Sequence, residues 1–366
     1  MLYESAFKKP ENVQGILKKL NQLSQATGPV KLMEICGTHT MAIARTGLKT
    51  ILPENIRLIS GPGCPVCVTP SGVMDQVFDL CQDPGIMITS YGDLLRVPGT
   101  VRGDSLLRRK AMGANVTDVY SPVDALALAE KNPDKEVIFL GVGFETTAPG
   151  TAACILQAAQ IKLKNFSVLC LLKNTEPALR TLIQGGDFSV SGFLCPGHVA
   201  AITGSNAFSF LPEDYGLPAV VAGFEAADLL YSILKLMEML ADRKPALVNE
   251  YIRLVRPEGN PTARAMMAKV FEPEDSPWRG LGLVKNGGLK IREEYAAFDA
   301  GRRFGLVQKE GQDIPGCRCA DVIRGILSPA RCPLFKTVCT PSDPVGPCMV
   351  SSEGSCAAAF RYEWSQ

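Results

Sequence analysis

The chain has 366 residues, which exceeds what one compact core usually contains and predicts two or three domains. Its 38 basic and 37 acidic residues give a formal net charge of +1, which argues against a nucleic-acid-binding surface. Residues 1–22 lack the layout of a signal peptide, and no apolar run approaches the roughly 18 residues that cross a bilayer, so we expect a cytoplasmic protein without a membrane partner.

Short apolar runs alternate with amphipathic stretches along residues 30–223, a pattern typical of βα units. A helix precedes the first run, because apolar residues recur at helical spacing from Val13 to Leu23. The runs are apolar throughout, as expected for strands that are buried on both faces of a parallel sheet. Eight strands are predicted in this way: Val30–Ile35, Ile56–Ser60, Ile86–Ser90, Val116–Tyr120, Val137–Val142, Ser167–Leu172, Val190–Cys195 and Pro218–Gly223.

The eight predicted strands fall into two sets of four whose following turns are similar. Gly37–Thr40 follows the first strand and Phe144–Thr147 follows the fifth, while Ser121–Leu126 after the fourth resembles Phe224–Leu229 after the eighth. We therefore predict an internal duplication that gives two similar parallel-sheet α/β domains, at residues 26–120 and 121–224. Chance similarity among βα units is the alternative explanation.

The pattern changes after residue 224. Leu230, Ile233, Leu234 and Met237 mark a helix, and a connection rich in proline and charge follows around Pro257–Pro277. The chain then ends in a cysteine-rich tail. Residues 1–25 and 225–366 are predicted to form a third domain, mostly helical and irregular. The predicted fold class is therefore α/β, with two similar parallel-sheet α/β domains plus this cysteine-rich domain.

Thirteen cysteines in a reducing compartment indicate metal ligands, redox thiols or buried packing rather than a disulfide framework. Gaps of 12, 6, 8 and 7 residues separate the tail cysteines from Cys319 to Cys356. Such irregular spacing favours an iron-sulfur cluster over zinc, because structural zinc sites prefer two tight C-x2-4-C pairs. Zinc and unligated thiols are the alternatives. Six cysteines lie in this tail: Cys317, Cys319, Cys332, Cys339, Cys348 and Cys356.

A C-P-V-C element formed by Cys64 and Cys67 follows the second predicted strand. A C-x-x-C turn holds two sulfurs close enough to form a disulfide, and a helix that starts there lowers the pKa of the first thiol. The alternative is half of a metal site, but no second C-x-x-C completes one. We therefore favour a redox pair.

Cys36 and His39 follow the first predicted strand, at the edge where open α/β sheets place their ligands. A thiolate with an imidazole three residues later suits a soft transition metal or an activated nucleophile. A buried structural cysteine beside a core histidine is the alternative. Because Cys64 and Cys67 follow the adjacent strand, we expect the three sulfurs to share one cleft.

The turn Gly141–Pro149 occupies the equivalent position in the second set of strands and carries Glu145, Thr146 and Thr147. It resembles a phosphate-binding turn only loosely, because Thr146 replaces the third glycine of G-x-G-x-x-G and no G-K-[ST] occurs. A polar loop facing the cysteines is favoured. His198 follows the seventh strand in a similar way, with a capped or core histidine as the alternative.

These motifs resemble those of the hydrogenase maturation factor HypD family along nearly the whole chain. The resemblance implies two similar α/β domains plus a cluster domain, acting as a scaffold on which the Fe(CN)2CO moiety of [NiFe]-hydrogenase is assembled. It also implies a small partner, HypC, and cyanide delivery through HypE. The matching strings are C-G-T-H-T from Cys36, G-P-G-C-P-V-C from Gly61, G-F-E-T-T-A-P from Gly143, P-G-H-V from Pro196, and C-P-L-F-x-x-x-C-T-P and P-V-G-P-C-M-V-S-S-E-G-S-C-A-A in the tail.

The same resemblance implies residue roles. It makes Cys36 the iron-binding thiol and Cys64 with Cys67 a redox pair. Our own expectation is that His39, His198 and the Phe144–Thr147 loop surround the iron, and that electrons pass between the cluster and the Cys64–Cys67 pair. A stand-alone iron-sulfur thiol-disulfide reductase, in which Cys36 is only structural, is the alternative function, and a zinc-stabilised binding module is a third. The implied [4Fe-4S] ligands are Cys319, Cys332, Cys339 and Cys356, with Cys317 or Cys348 as substitutes.

Overall fold

Two parallel sheets and one hairpin make up the β structure of the computed structural model, which describes residues 10–186, 188–307 and 311–363. A five-stranded sheet has the order β2-β1-β7-β8-β9, a four-stranded sheet has the order β4-β3-β5-β6, and β10 pairs with β11. The strands are β1 Val30–Glu34, β2 Ile56–Ser60, β3 Ile86–Ser90, β4 Val116–Asp118, β5 Glu136–Gly143, β6 Phe166–Leu172, β7 Gly192–Pro196, β8 Ala219–Ala222, β9 Leu247–Asn249, β10 Phe271–Trp278 and β11 Gly282–Ile291.

Helices connect the strands and cover both sheets. They are α1 Pro10–Thr27, α2 Gly37–Thr46, α3 Leu48–Ile51, α4 Pro65–Val68, α5 Ser71–Leu80, α6 Leu106–Ala111, α7 Pro122–Lys131, α8 Ala148–Gln160, α9 Thr175–Gln184, α10 Gly197–Thr203, α11 Phe210–Tyr215, α12 Ala226–Ala241, α13 Pro261–Val270, α14 Ala300–Phe304, α15 Cys319–Ile323 and α16 Ser355–Tyr362. Short 3-10 turns occur at Leu94–Arg96, Ser205–Phe208, Glu293–Phe298, Pro329–Arg331 and Pro347–Met349. None of the helices in these ranges of the chain has the length and hydropathy that a bilayer span requires.

The predicted fold class is confirmed: all eight predicted strands form, and every pair within the two sheets is parallel. The apolar runs are the reason, since both faces of the sheets are covered by helices. Strand β6 is buried at all seven positions, and β5 is buried at all but its first residue.

The two sheets do not divide the chain at residues 120 and 121, where the boundary between the first two domains is predicted. Strand β1 pairs with β7, with Leu32 opposite Gly192, and β3 pairs with β5. Each sheet therefore takes two strands from residues 26–120 and two from 121–224. Adding four to the numbers of β1 and β2 and subtracting four from those of β7 and β8 converts β2-β1-β7-β8 into β6-β5-β3-β4. This is the order of the other sheet read in reverse. The two sheets therefore have similar topology, although each takes strands from both halves of the chain.

The helices predicted to join the cysteine-rich domain pack on the five-stranded sheet instead. Leu20 of α1 is fully buried in one apolar cluster with Leu32 of β1 and Leu229 of α12, and Lys19 of α1 is ion-paired with Glu238 of α12. Strand β9 also extends this sheet. Residues 10–27 and 226–249 thus belong to the first sheet, because their apolar faces are the ones that cover it.

The tail, residues 311–363, lies across the loops at the carboxyl ends of both sheets. Ser351 donates a 2.9 Å hydrogen bond to Asp93 after β3, and Thr38 after β1 donates one of 2.6 Å to Glu353. Buried tail cysteines share one apolar cluster with residues of both sheets. The tail therefore joins the two sheets at the edge where open α/β folds bind ligands.

Candidate functional site

A cleft of about 590 Å³ opens at the carboxyl ends of the strands, between the two sheets and the tail. Loops after β1, β2, β3, β4, β5 and β7 contribute to it, which is the position that the strand order of such sheets favours. Its polar and aromatic lining residues are Cys36, Thr38, Tyr91, Asp93, Tyr120, Phe144, Thr146, Thr147, His198, Ser351, Ser352 and Glu353.

Cys36 lies in this cleft as the N-cap residue of α2, with extended backbone angles. Burial raises the pKa of its thiol to about 12, and the backbone N–H groups of His39 and Thr38, which donate to the sulfur, oppose that rise. The nearby carboxylates of Glu353 and Glu34 raise the pKa further. Cys36 is therefore a protonated thiol at neutral pH, and a metal ion that binds it has to displace the proton.

Glycines bring the Cys36 turn and the C-P-V-C turn into contact. A Cβ atom on Gly63 would lie 2.2 Å from the backbone nitrogen of Cys36, and Gly37 donates a 2.9 Å hydrogen bond to the carbonyl of Gly63. No side chain fits between these segments, so Gly63 is required for the close approach. The two predicted sulfur motifs are thus adjacent.

Cys64 and Cys67 form a disulfide, with their Cα atoms 5.2 Å apart. Cys64 is the N-cap residue of α4, and its sulfur accepts a hydrogen bond from the Cys67 N–H. The pair opens not into the main cleft but into a small adjoining cavity that Cys348 also lines. Glu353 lines both cavities, so the single shared cleft that we predicted is two neighbouring spaces.

Glu34 fixes the turn that carries Cys36. Its buried carboxylate accepts hydrogen bonds from the Cys36 N–H at 3.2 Å and from the Thr40 hydroxyl. Burial raises the pKa of Glu34 to about 7, and these bonds oppose the rise.

The two histidines of the chain pack against one ring, Phe224: His198 stacks on it with ring centroids 3.9 Å apart, and His39 lies tilted to it at 4.7 Å. His39 is fully buried, its Nε2 lies 2.9 Å from the Gly223 carbonyl, and burial lowers its pKa to about 4. His198 is exposed and lines the cleft. His39 is thus buried outside the lining of the cleft, whereas His198 lies where it reaches a ligand.

The residues of the Phe144–Thr147 loop have two different roles. Glu145 is buried and accepts 2.7 Å hydrogen bonds from the N–H and hydroxyl of Thr175, which anchor the start of α9. Burial raises the pKa of this carboxyl. Thr146 and Thr147 line the cleft. Phe144 also lines the cleft, so Glu145 is the residue of this loop that does not face it.

Five tail cysteines line one small cavity whose other walls are mainly apolar. They are Cys317, Cys319, Cys332, Cys339 and Cys356. The sixth, Cys348, is buried, and its thiol is hydrogen-bonded to Cys319 and Cys356. Because Cys348 also lines the cavity of the Cys64–Cys67 disulfide, the tail sulfurs and the disulfide adjoin.

The cysteine cavity suits an iron-sulfur cluster in its donor set, since four thiolates in dry, apolar surroundings are what such a cluster takes. The four predicted ligands all line it, and Cys317 makes one more than a cubane uses. Within residues 10–186, 188–307 and 311–363, no three His, Cys, Asp or Glu side chains are arranged around a point that one metal ion could occupy. A cubane differs from zinc here, because its four thiolates bind four separate irons.

Two carboxylates in the cleft are not predicted from the sequence. Asp93 accepts from the Ser351 hydroxyl at 2.9 Å and from the Ser352 N–H at 3.2 Å, and Glu353 accepts from Thr38. Asp93 follows β3 as Cys36 follows β1, and that equivalence is the signal that points to it. Glu353 lies in the tail string S-S-E-G-S-C, and nothing in the string reveals its contact with the first helix after β1.

Fold and site together define a cysteine-rich α/β protein with a buried thiol in a cleft, a neighbouring disulfide and a cluster of tail thiols around one cavity. The family model labelled HypD, described as the hydrogenase formation hypA family, matches residues 11–363. The chain belongs to this HypD family of hydrogenase maturation factors.

Similar proteins from three bacteria support the assignment. Hydrogenase maturation factor HypD2 of Bradyrhizobium diazoefficiens is 43% identical over 369 residues, which cover 99% of this chain and 97% of the relative. HypD of Azotobacter vinelandii is 43% identical over 368 residues, 99% of this chain and 97% of the relative. HypD of Escherichia coli is 40% identical over 368 residues, 99% and 98% of the two chains.

Proposed function

We propose that this chain is the scaffold on which the Fe(CN)2CO moiety of [NiFe]-hydrogenase is assembled, in complex with a HypC-type small chaperone and supplied by a HypE-type cyanide donor. The observation that carries the proposal is the position of Cys36. Its thiol is the only cysteine sulfur that the described lining of the main cleft offers. Family membership supports the process, hydrogenase maturation.

Cys36 gives an iron ion one protein ligand, and further ligands come from the cargo and from a partner thiolate. A thiolate donates electron density to iron, which strengthens back-bonding to cyanide and carbon monoxide. His198, Thr146 and Thr147 line the space around that position. We expect them to contact the diatomic ligands of the cargo or the partner protein.

The charge of the cleft supports delivery of cyanide by a carrier protein. Its acidic lining side chains are Asp93 and Glu353, and no Lys or Arg occurs among the lining residues in the described ranges. Such a lining attracts a metal cation and repels a free anion. Cyanide that arrives bound to a partner avoids this repulsion.

The tail cysteines and the disulfide form the redox part of the proposal. Cys319, Cys332, Cys339 and Cys356 would hold a [4Fe-4S] cluster, which would supply single electrons when bound. The Cys64–Cys67 disulfide takes up two electrons and two protons when it opens to two thiols. Burial protects both groups from external thiols, so the route through the tail, where Cys348 adjoins the pair, is the favoured one.

The experiment compares Cys36→Ala with wild type, each purified anaerobically with the small partner. We expect the infrared bands of iron-bound cyanide and carbon monoxide in wild type and their loss in the variant. Cys154→Ala is the matched control, because Cys154 is a buried cysteine in α8 that does not line the cleft. Bands of full strength in Cys36→Ala would show that another residue holds the iron.

A second candidate function is a stand-alone thiol-disulfide reductase, which the contact between the disulfide cavity and the tail cysteines favours. Such a protein would contain iron and sulfide and would cycle Cys64 and Cys67, yet it would carry no metal-bound diatomic ligands when purified with its partner. Colour and acid-labile sulfide separate both functions from a zinc-stabilised binding module, since zinc gives neither.

A further inference from the structure

Arg279 is a buried cation between the disulfide helix and the tail cysteines. It follows β10, and only 6% of its side chain is exposed. Its backbone N–H donates a 2.9 Å hydrogen bond to Val68, and its guanidinium donates one of 3.2 Å to Thr69. These two carbonyls lie at the end of α4, the helix that carries Cys64 and Cys67. Arg279 therefore fixes that helix from its carboxyl end.

The other neighbours of Arg279 belong to the tail. The next residue, Gly280, has a positive φ of 84°, and a Cβ atom there would lie 2.9 Å from the carbonyl oxygen of Ala320. Ala320 follows Cys319 in α15. The pKa of the Cys317 thiol is raised by its hydrogen bond to Cys319 and by burial, and the charge of Arg279 opposes that rise. The same charge acts on Cys319.

The partners of Arg279 satisfy it only in part. Among the described residues its ion pair is with Asp313, whose side chain is 30% exposed and partly solvated. Its buried Nε–H has no hydrogen-bond partner in the part of the chain that the structure describes. Burying a charge is costly unless it is paired. A neutral side chain such as glutamine would satisfy the Thr69 carbonyl without that cost.

A cluster bound by the tail thiolates would supply the negative charge that favours an arginine at this position. Thiolates that hold an iron-sulfur cluster give the site a net negative charge, which grows by one on reduction. A positive charge fixed nearby stabilises the more negative, reduced state and so raises the reduction potential. Asp313 opposes this effect.

We propose that Arg279 is a positioning residue that raises the reduction potential of the cluster held by the tail cysteines while fixing the helix of the Cys64–Cys67 pair, and that Asp313 moderates it. The inference rests on the proposed function, because it requires that the tail holds a cluster. It goes further by naming the residue that sets the potential of that cluster.

The test is a redox titration of the full chain, purified anaerobically with its cluster and followed by electron paramagnetic resonance. We expect Arg279→Gln to shift the midpoint potential of the cluster downward, Arg279→Lys to stay near wild type, and Asp313→Asn to shift it upward. The matched controls Arg303→Gln and Glu136→Gln break a similar, partly exposed ion pair at the start of β5 and should leave the potential unchanged.

If Arg279→Gln does not fold, the midpoint potential of the cluster in Asp313→Asn tests the proposal by itself: an upward shift supports it, and an unchanged potential contradicts it.

The failure of the inference differs from the failure of the proposed function. Wild-type protein that binds neither iron nor sulfide defeats the proposed cluster. A cluster whose potential is the same in wild type, Arg279→Gln and Asp313→Asn defeats only the inference, and so does a shift of both variants in one direction, which indicates loosened packing instead of charge.

Discussion

Thr38 donates a 2.6 Å hydrogen bond to Glu353, a residue 315 positions further along the chain. Thr38 lies in the first turn of α2, two residues after Cys36, and Glu353 lies in the tail, three residues before Cys356. Burial raises the pKa of the Glu353 carboxyl and the bond from Thr38 opposes that rise. One hydrogen bond thus ties the thiol at the cleft to the segment that carries the tail cysteines.

Loss of that bond should destabilise the protein. Thr38→Val keeps the shape of the side chain but leaves the Glu353 carboxyl without its donor, so we expect the free energy of unfolding to fall by about 1–3 kcal/mol. Urea denaturation measures the change. Thr38→Ser keeps the hydroxyl and should lose much less. Equal stability of Thr38→Val and wild type would mean that Glu353 finds another donor.

A methyl group at Gly63 should disrupt the site. In Gly63→Ala the new Cβ would meet the backbone of Ile35 and Cys36 at 2.4 Å or less, and neither segment has room to move in a packed core. Overpacking of this kind typically costs about 1–3 kcal/mol, which a thermal unfolding midpoint detects. Gly92→Ala is the matched control, because Gly92 also lines the cleft and has nothing within 4 Å of its Cβ position.

The two histidines should titrate differently in nuclear magnetic resonance spectra. Burial lowers the pKa of His39 to about 4, so its imidazole signals should not move between about pH 5.5 and 8. Burial also lowers the pKa of His198, and its signals should titrate with a midpoint below the usual 6.5. His198→Gln assigns the titrating signals by removing them. Two histidines that titrate together would contradict the buried position of His39.

The same pKa of His39 has a consequence for stability. An unfolded histidine takes up a proton near pH 6.5, whereas folded His39 does so only near pH 4. Between pH 6.5 and 4 the unfolded state therefore binds more protons, and the protein loses stability as the pH is lowered through that window. Above pH 6.5 the contribution of neutral His39 to stability is complete. His39→Phe should reduce the loss of stability between pH 6.5 and 4, as followed by urea denaturation, and an unchanged pH profile would contradict the prediction.

Iron and sulfide content should identify the cluster ligands. Alanine at Cys319, Cys332, Cys339 or Cys356 should abolish both, because these are the four proposed ligands and all of them line the cysteine cavity. Alanine at Cys317, the fifth thiol of the cavity, should leave the content near wild type because a cubane takes four thiolates, and so should alanine at Cys348, which lies outside that cavity. Loss of iron in Cys317→Ala together with its retention in Cys319→Ala would assign the fourth position to Cys317.

The strands were predictable and their partners were not. Apolar runs mark β1 to β8 because burial on both faces selects apolar residues at every position. Leu32 of β1 pairs with Gly192 of β7 and not with a residue of β3. The sequences of these strands do not indicate that choice, since all the buried strands have similar composition. The hairpin of β10 and β11 is not predicted either, because Pro273, Pro277 and several charged residues interrupt its pattern.

The sulfur motifs were predictable for a related reason. Cys64 and Cys67 are three residues apart, so local geometry already brings them together. Contacts such as Thr38 with Glu353 or Arg279 with Thr69 span hundreds of residues, and only the folded chain creates them.

The pairing of β1 with β7 also sets the order of events on the ribosome. Leu32 has to wait until Gly192, 160 residues later, has been synthesised before the central pair of its sheet can close. At the usual 5–20 residues per second that delay is about 8 to 32 seconds. During that interval the edge of β1 that pairs with β7 stays unpaired in the nascent chain, and an unpaired strand edge is open to pairing with other chains.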